Sequence, residues 1–332
     1  MPAIKRPTRS LFLLALILAV LLIGSVLLGR YPSPYWMTPV SLWQDQLAQN
    51  LVLHLRLPRL ATACLLGISL AGAGTVLQMI FRNPLVEPGF LGVSQGAAFG
   101  AALAIVLAGS STLLVQASAA FFAILGLAFA YLLARHTHFG GWILRLVLAG
   151  IAVSALFAAG VGALKYLADP LTQLPEIVFW TMGGLWGMTW AQVLRTAPVV
   201  LPCLVVLYMM RWRLNLLALD DTTAFSLGVV PGRERSIVLF AAVTATAMVV
   251  SVAGVVGWIG LIVPHLARRW FSADTQHALP AAMLLGGIFS LACDNLARTV
   301  LAGEIPLGIL TSLLGSLLFV LLMLSSNPWL RR

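Results

Sequence analysis

Long apolar runs separated by short polar breaks constrain this chain more than any motif does. They fall at Leu11–Gly29 and at 60–81, 89–108, 113–134, 142–164, 194–212, 236–256, 258–270, 278–300 and 307–325. About 20 apolar residues cross a hydrocarbon layer as a helix, and most of these runs reach or approach that length. Inside lipid each backbone must satisfy its own hydrogen bonds, so the runs read as helices. Of 332 residues, 61% are hydrophobic and 9% are charged, against about 25% charged in a soluble domain. The expectation is an all-α, polytopic membrane bundle of about ten transmembrane helices, forming one domain over residues 1–332. The run at 258–270 is short and holds Pro264, so it reads as an oblique or partial crossing that needs protein neighbours.

Lys5, Arg6 and Arg9 precede the first run. That run is about 19 residues long and ends without an Ala-x-Ala type site, so it reads as a span rather than a cleaved leader. Ten crossings place both termini on one side. Six of the 20 Lys and Arg residues then lie outside (Arg30, Arg56, Arg59, Lys165, Arg195 and Arg298) and the other fourteen inside. This matches the positive-inside bias and makes the termini cytoplasmic. The net charge of +10 is thereby explained by cytoplasmic flanks rather than by nucleic-acid binding. Tyr31, Tyr35, Trp36 and Trp43 suit the membrane interface.

A polar island spans about 214–235, on the cytoplasmic side by this topology. It is too long for a tight turn and too apolar for a free linker. It reads as one or two short amphipathic helices ended by Gly228 and by Pro231-Gly232. Such an element is either a docking surface for a soluble partner or an ordinary surface loop. On the other side, the connection 165–193 holds a short helix starting at Pro175 and ended by Gly183-Gly184. Trp186 and Trp190 suit the interface there.

No catalytic set is visible. Gly67-Ile68-Ser69-Leu70-Ala71 looks like a nucleophile elbow but sits mid-helix, and no glycine-rich phosphate loop with lysine exists. The chain therefore does not hydrolyse ATP by itself. Cys64, Cys203 and Cys293 stand alone in apolar runs, and His136 and His138 sit beside Arg135, so no metal site is expected. Arg56, Arg59 and Arg298 lie at the outer face, against the positive-inside trend. They could pair with carboxylates of an external partner. Equally, they could anchor at lipid headgroups, with Asp294 and Arg298 as an i,i+4 ion pair.

Gly92, Gly96 and Gly100 make a small-residue face for close helix packing, and Gly254, Gly257 and Gly260 resemble it at spacing three. Breaks at 83–89 and 257–265 are expected on opposite faces of the membrane. They hint at an inverted duplication, 60–164 against 236–325.

Four motifs keep their order along the chain: Leu55-Arg56-Leu57-Pro58-Arg59; Gln78 with Asn83-Pro84-Leu85-Val86-Glu87-Pro88-Gly89-Phe90-Leu91-Gly92-Val93-Ser94-Gln95-Gly96; Gly260-Leu261-Ile262-Val263-Pro264-His265-Leu266-Ala267-Arg268; and Glu304-Ile305-Pro306-Leu307-Gly308-Ile309-Leu310-Thr311. Together they resemble FecCD-like permease subunits of type II ABC importers for iron chelates, haem and cobalamin, from about residue 50 to the C-terminus. The resemblance implies a homodimer in the bacterial inner (cytoplasmic) membrane. It also implies two cytoplasmic ATP-binding subunits, a periplasmic substrate-binding protein and a metal-chelate substrate. ATP would be bound by the partner ATPase, and no cofactor by this chain.

By the same resemblance, Arg56, Arg59 and Arg298 match the arginines that meet the binding protein. Asp220, Asp221, Thr222, Ala224, Leu227 and Gly228 fall in the segment that seats in the ATPase. The path would run between 142–164 and 307–325, whose polar positions are Ser154, Thr311, Ser312 and Ser316. A ferric siderophore is the expected cargo, with haem, cobalamin or molybdate as alternatives. An ion-coupled secondary transporter is the alternative from another class. It would require ionisable groups buried in mid-membrane, where the sequence places almost none.

Overall fold

The computed structural model describes residues 7–29, 31, 36–109, 111–301 and 303–324. Lys5, Arg6, Arg30, Tyr35, Arg331 and Arg332 lie outside the described residues. In chain order the helices are α1 (Pro7–Leu27), α2 (Ser41–Gln44), α3 (Gln46–Leu51), α4 (Leu57–Phe81), α5 (Val93–Ala108), α6 (Thr112–His136), α7 (Trp142–Leu167), α8 (Gln173–Met182), α9 (Trp190–Met209), α10 (Arg211–Leu217), α11 (Asp221–Ser226), α12 (Pro231–Ala253), α13 (Ile259–Trp270), α14 (Thr275–Thr299) and α15 (Leu307–Leu324). A π-helical turn, Val52–Arg56, joins α3 to α4, and a 3₁₀ turn, Pro88–Leu91, precedes α5.

Among the described residues, eight helical stretches are long and apolar enough to cross a membrane: α1, the run Gln46–Phe81, α6, α7, α9, α12, α14 and α15. The other two expected crossings are short. At 1.5 Å per residue, α5 (16 residues) measures about 24 Å and α13 (12 residues) about 18 Å. Both begin inside the bundle. The chain leaves α12 at Ala253, returns through the non-helical stretch 254–257, and only then starts α13. Gly254 and Val256 are buried, as irregular backbone at membrane depth must be.

Helix α4 is the centre of the bundle: 78% of its apolar window is buried, against 11% for α1. Its composition explains this. Lipid offers no hydrophobic drive between helices, so close backbone approach through small residues decides the packing. A Cβ on Gly67 would lie 2.0 Å from the Gly286 carbonyl oxygen, and one on Gly286 would lie 2.2 Å from that of Gly67. On another face, a Cβ on Gly74 would lie 2.0 Å from the Gly260 oxygen. Gly96 and Gly100 do the same for α5 against Phe122 and Ser118 of α6.

Two expectations are corrected. Gly254, Gly257 and Gly260 are not a helix face, because the break runs through them. Pro231-Gly232 opens α12 rather than ending the island, since proline at the first helical position lacks only a donor that would be orphaned anyway. The two breaks do start from opposite ends of the bundle: Arg82 donates to the Leu219 carbonyl at the polar island, whereas the Gly184 N–H of the long connection donates to the Ala253 carbonyl at 2.8 Å. Glu87 Oε2 accepts a hydrogen bond from the Trp258 backbone N–H at 3.3 Å, so the breaks meet inside the bundle. The short helix of the long connection starts at Gln173, with Pro175 in its first turn, and ends at Gly183, whose φ is +70°.

Candidate functional site

Two ends of the bundle and one interior junction carry the polar residues singled out above. At one end the island folds as a hairpin of α10 and α11. Asp220 caps α11: its carboxylate accepts from the hydroxyls of Thr222 (2.5 Å) and Thr223 (2.9 Å) and from the Thr223 N–H (3.0 Å). The Thr222 hydroxyl, then the Thr223 N–H and hydroxyl, hold its carboxyl well below the usual range. Asp221 pairs with Arg235 of α12 at 2.7 Å. Ala224 is fully buried as the hairpin's packing point. Gly228, at φ +81°, turns the chain with nothing within 4 Å of a would-be Cβ.

Further ties hold the hairpin in place. Arg213 meets Glu234 at 2.5 Å, Arg235 donates to the Leu217 carbonyl at 3.1 Å, and Asn215 donates to Asp274 at 2.7 Å. Arg82, at the end of α4, donates to the Leu219 carbonyl. With its polar groups so engaged, the hairpin presents an apolar tip of Leu219, Phe225, Leu227 and Val230, all exposed. Of these, sequence reasoning singled out Leu227 alone. An apolar residue at a helix end carries no spacing signal that separates core from contact surface.

The three arginines lie at the opposite end, but they do not stand free. Arg56 is 8% exposed and donates to the carbonyls of Val26 (2.8 Å) and Tyr31 (2.6 Å). Arg298 is 7% exposed and donates to Leu28 and Ser25 carbonyls and to Asn295. Both therefore fasten the end of α1, whose last carbonyls have no helical partner.

Arg59 binds the fully buried Asp294 at 2.8 Å and Glu304 at 2.8 Å. Arg298 Nε lies 3.7 Å from the other oxygen of Asp294, so the i,i+4 pair is present and Asp294 sits between two guanidiniums. Glu304, about a third exposed, is the accessible member. Its meeting with Arg59 spans 245 positions and could not be read from spacing.

At the interior junction, a cavity of about 280 Å³ lies between the two breaks, α7 and α12. Glu87, Ser94, Gln95, Ser154 and Thr246 line it. Glu87 thus sits where the break at 83–89 folds back into the bundle. The Ser154 hydroxyl is buried without a hydrogen-bond partner among the described residues. Thr311 is fully buried, its hydroxyl on the Gly308 carbonyl at 3.2 Å, so it faces its own chain rather than an open path. Ser312 and Ser316 are partly exposed. The outward stripe of α15 is apolar: Ile309, Leu313, Leu317, Val320 and Leu321.

Broken helices buried inside a bundle, with a tethered hairpin at one end, define a multi-pass membrane transport protein. The model of the FecCD transport family matches residues 15–325, and the chain belongs to that family. It is the permease of an ABC importer, a class that works with an ATPase and a substrate-binding protein. It is 39% identical over 319 residues to the molybdate import system permease protein of Haemophilus influenzae, covering 94% of each chain. To an iron chelatin transport system permease protein of Helicobacter pylori it is 40% identical over 273 residues, 82% of each. Other relatives are named for hemin, Fe(3+) dicitrate and vitamin B12. An inward-facing structure described as a metal-chelate type ABC transporter superposes with a TM-score of 0.87 at 39% identity, covering 95% of this chain and 99% of the other.

Proposed function

We propose that this permease moves a ferric siderophore across the bacterial inner membrane as a homodimer. Residues 1–332 form one domain, with ten crossings per subunit and both termini cytoplasmic. The hairpin end faces two ATPase subunits, which bind the ATP, and this chain binds no cofactor. The single observation that carries the energy-coupling reading is the apolar tip of Leu219, Phe225, Leu227 and Val230 on a hairpin held by five polar ties. An exposed apolar patch on a rigid mount is what a docking partner would cover. Asp220, Asp221, Thr222, Ala224 and Gly228 shape that mount.

The path runs where α7 and α15 face the second copy. Support comes from α15: only 28% of its apolar window is buried, and its outward stripe has no partner in the subunit among the described residues. Ser154, Ser312 and Ser316 supply its few polar points, and Thr311 positions α15 from behind. The arginine end receives the binding protein. Arg59 is the exchangeable residue there, since a carboxylate of the partner can replace the accessible Glu304. Arg56 and Arg298 support that rim from beneath, and lipid covers the remaining flanks.

Molybdate is the second reading, favoured by the relative that matches 94% of this chain. Haem and cobalamin stand behind it. The test is ATP turnover by the reconstituted permease–ATPase complex with its binding protein, against ferric siderophores, haem, cobalamin and molybdate. Stimulation by siderophores alone supports the proposal, and stimulation by molybdate alone replaces it. Uptake that persists without any ATPase would point instead to an ion-coupled secondary transporter.

A further inference from the structure

Among the described residues, two non-glycine residues have positive φ: Arg82 at 49° and Trp258 at 70°. Each such conformation is strained for a residue that carries a side chain and persists only where the surroundings impose it. The two are ends of one connection. Arg82 closes α4 and donates its guanidinium to the Leu219 carbonyl, at the base of the hairpin tip. Trp258 opens α13, and its N–H is held by Glu87, five residues beyond Arg82.

The chain between Arg82 and Glu87 is short and stiff. Asn83 accepts from the Leu85 N–H at 2.9 Å and from the Val86 N–H at 3.4 Å. Pro84 and Pro88 fix their own φ, and Val86 is buried. Beyond Glu87 the connection reaches both helices proposed to line the path. On one side, a Cβ on Gly150 of α7 would lie 2.6 Å from the Phe90 carbonyl oxygen. On the other, a Cβ on Gly315 of α15 would lie 2.6 Å from Trp258 Cβ, and the indole stands edge-on to Phe319 at 6.3 Å. The cavity beside Glu87 leaves room for this tie to shift.

We propose that Arg82, Glu87 and Trp258 are positioning residues that carry displacement of the hairpin to α7 and α15. The inference rests on the importer reading above. It gives Glu87 a mechanical role. The Glu87 carboxylate holds the Trp258 N–H, so movement at Leu219 arrives at the tryptophan that packs on α15.

The test uses the full permease–ATPase complex in nanodiscs. Nitroxides are placed at Leu144 on α7 and Leu321 on α15, both exposed in the subunit. Distances are compared without nucleotide and with ATP plus vanadate, and ATP hydrolysis is measured in parallel. For the parent complex, a nucleotide-driven distance change is expected. Glu87→Ala should abolish the change while hydrolysis continues. Glu87→Gln should retain it, because an amide oxygen still accepts from the Trp258 N–H.

Arg82→Ala, at an exposed position, should also abolish the change, and the double variant should behave like either single one. Should Glu87→Ala fail to assemble, the Arg82→Ala and Glu87→Gln pair still decides. A full distance change in Glu87→Ala or Arg82→Ala would overturn the relay while leaving the importer reading intact. A parent complex that neither hydrolyses ATP nor moves would instead refute the importer reading, and the relay with it.

Discussion

Replacing Asp294 with alanine should destabilise the bundle more than any other single change at the arginine end. Asp294 is 0% exposed and lies between Arg59, 13% exposed, and Arg298, 7% exposed. Removing one member of a buried ion pair typically costs 3–5 kcal/mol, because the remaining charge is left uncompensated. Here Arg59 keeps Glu304, and Arg298 keeps two carbonyls and Asn295 as acceptors. The low end, about 3 kcal/mol, is therefore expected.

At about 2.1 cal/mol/K per residue, a chain of 332 residues has an unfolding entropy of about 0.7 kcal/mol/K, so the unfolding midpoint should fall by roughly 4 °C. The assay is thermal unfolding in detergent with a thiol-reactive dye, which reports exposure of the fully buried Cys293. Glu304→Ala is the internal comparison. That carboxylate is 34% exposed, and removing it should cost about 1 kcal/mol or less. If Asp294→Ala and Glu304→Ala shift the midpoint equally, the buried network is not what holds this end together.

Three other outcomes are expected. Phe225→Ser with Leu227→Ser should weaken ATPase binding at least tenfold in a pull-down titration, equivalent to about 1.4 kcal/mol, while the unfolding midpoint stays unchanged. Gly286→Val should force α4 and α14 apart at their crossing and lower stability by about 1–3 kcal/mol or more, read in the same thermal assay. Asp220→Ala should remove the cap of α11, seen as faster hydrogen exchange over 221–226. Because the folded Asp220 carboxyl is held below its ordinary value of 3.8, its cap is fully present above that value and is lost only at lower pH. Protection of 221–226, corrected for intrinsic rates, should therefore match at pH 7 and pH 5.

Much of this fold was legible in the sequence, for one physical reason. A membrane span must be a run of apolar residues long enough to cross, so composition and length fix where most helices lie. The runs at 11–29, 113–134, 142–164 and 307–325 reappear as α1, α6, α7 and α15 within a few residues at most ends. The island was legible too, because polar residues between apolar runs have no place in hydrocarbon. Its helix start at Asp220 follows from local capping chemistry.

Long-range meetings were not legible. Arg59 with Asp294 and Glu304, Glu87 with Trp258, and Arg82 with Leu219 join residues that local periodicity does not connect. The Arg298–Asp294 pair was open to view at spacing i,i+4, but Arg56 and Arg59 looked free because the sequence does not show the distant carbonyls and carboxylates that receive them. The breaks at 83–89 and 257–265 enter from opposite ends as expected, but a run of residues carries no record of folding back, so their meeting inside the bundle was not visible. The sequence by itself thus determined that this is a helical membrane permease of a known family, since burial in lipid and motif order are properties of the chain. Only the tertiary structure decided which charges are already paired, which apolar side chains stay uncovered and where the two breaks meet. Those depend on how separate helices pack, and packing is settled by close approach at residues such as Gly67, Gly74 and Gly286.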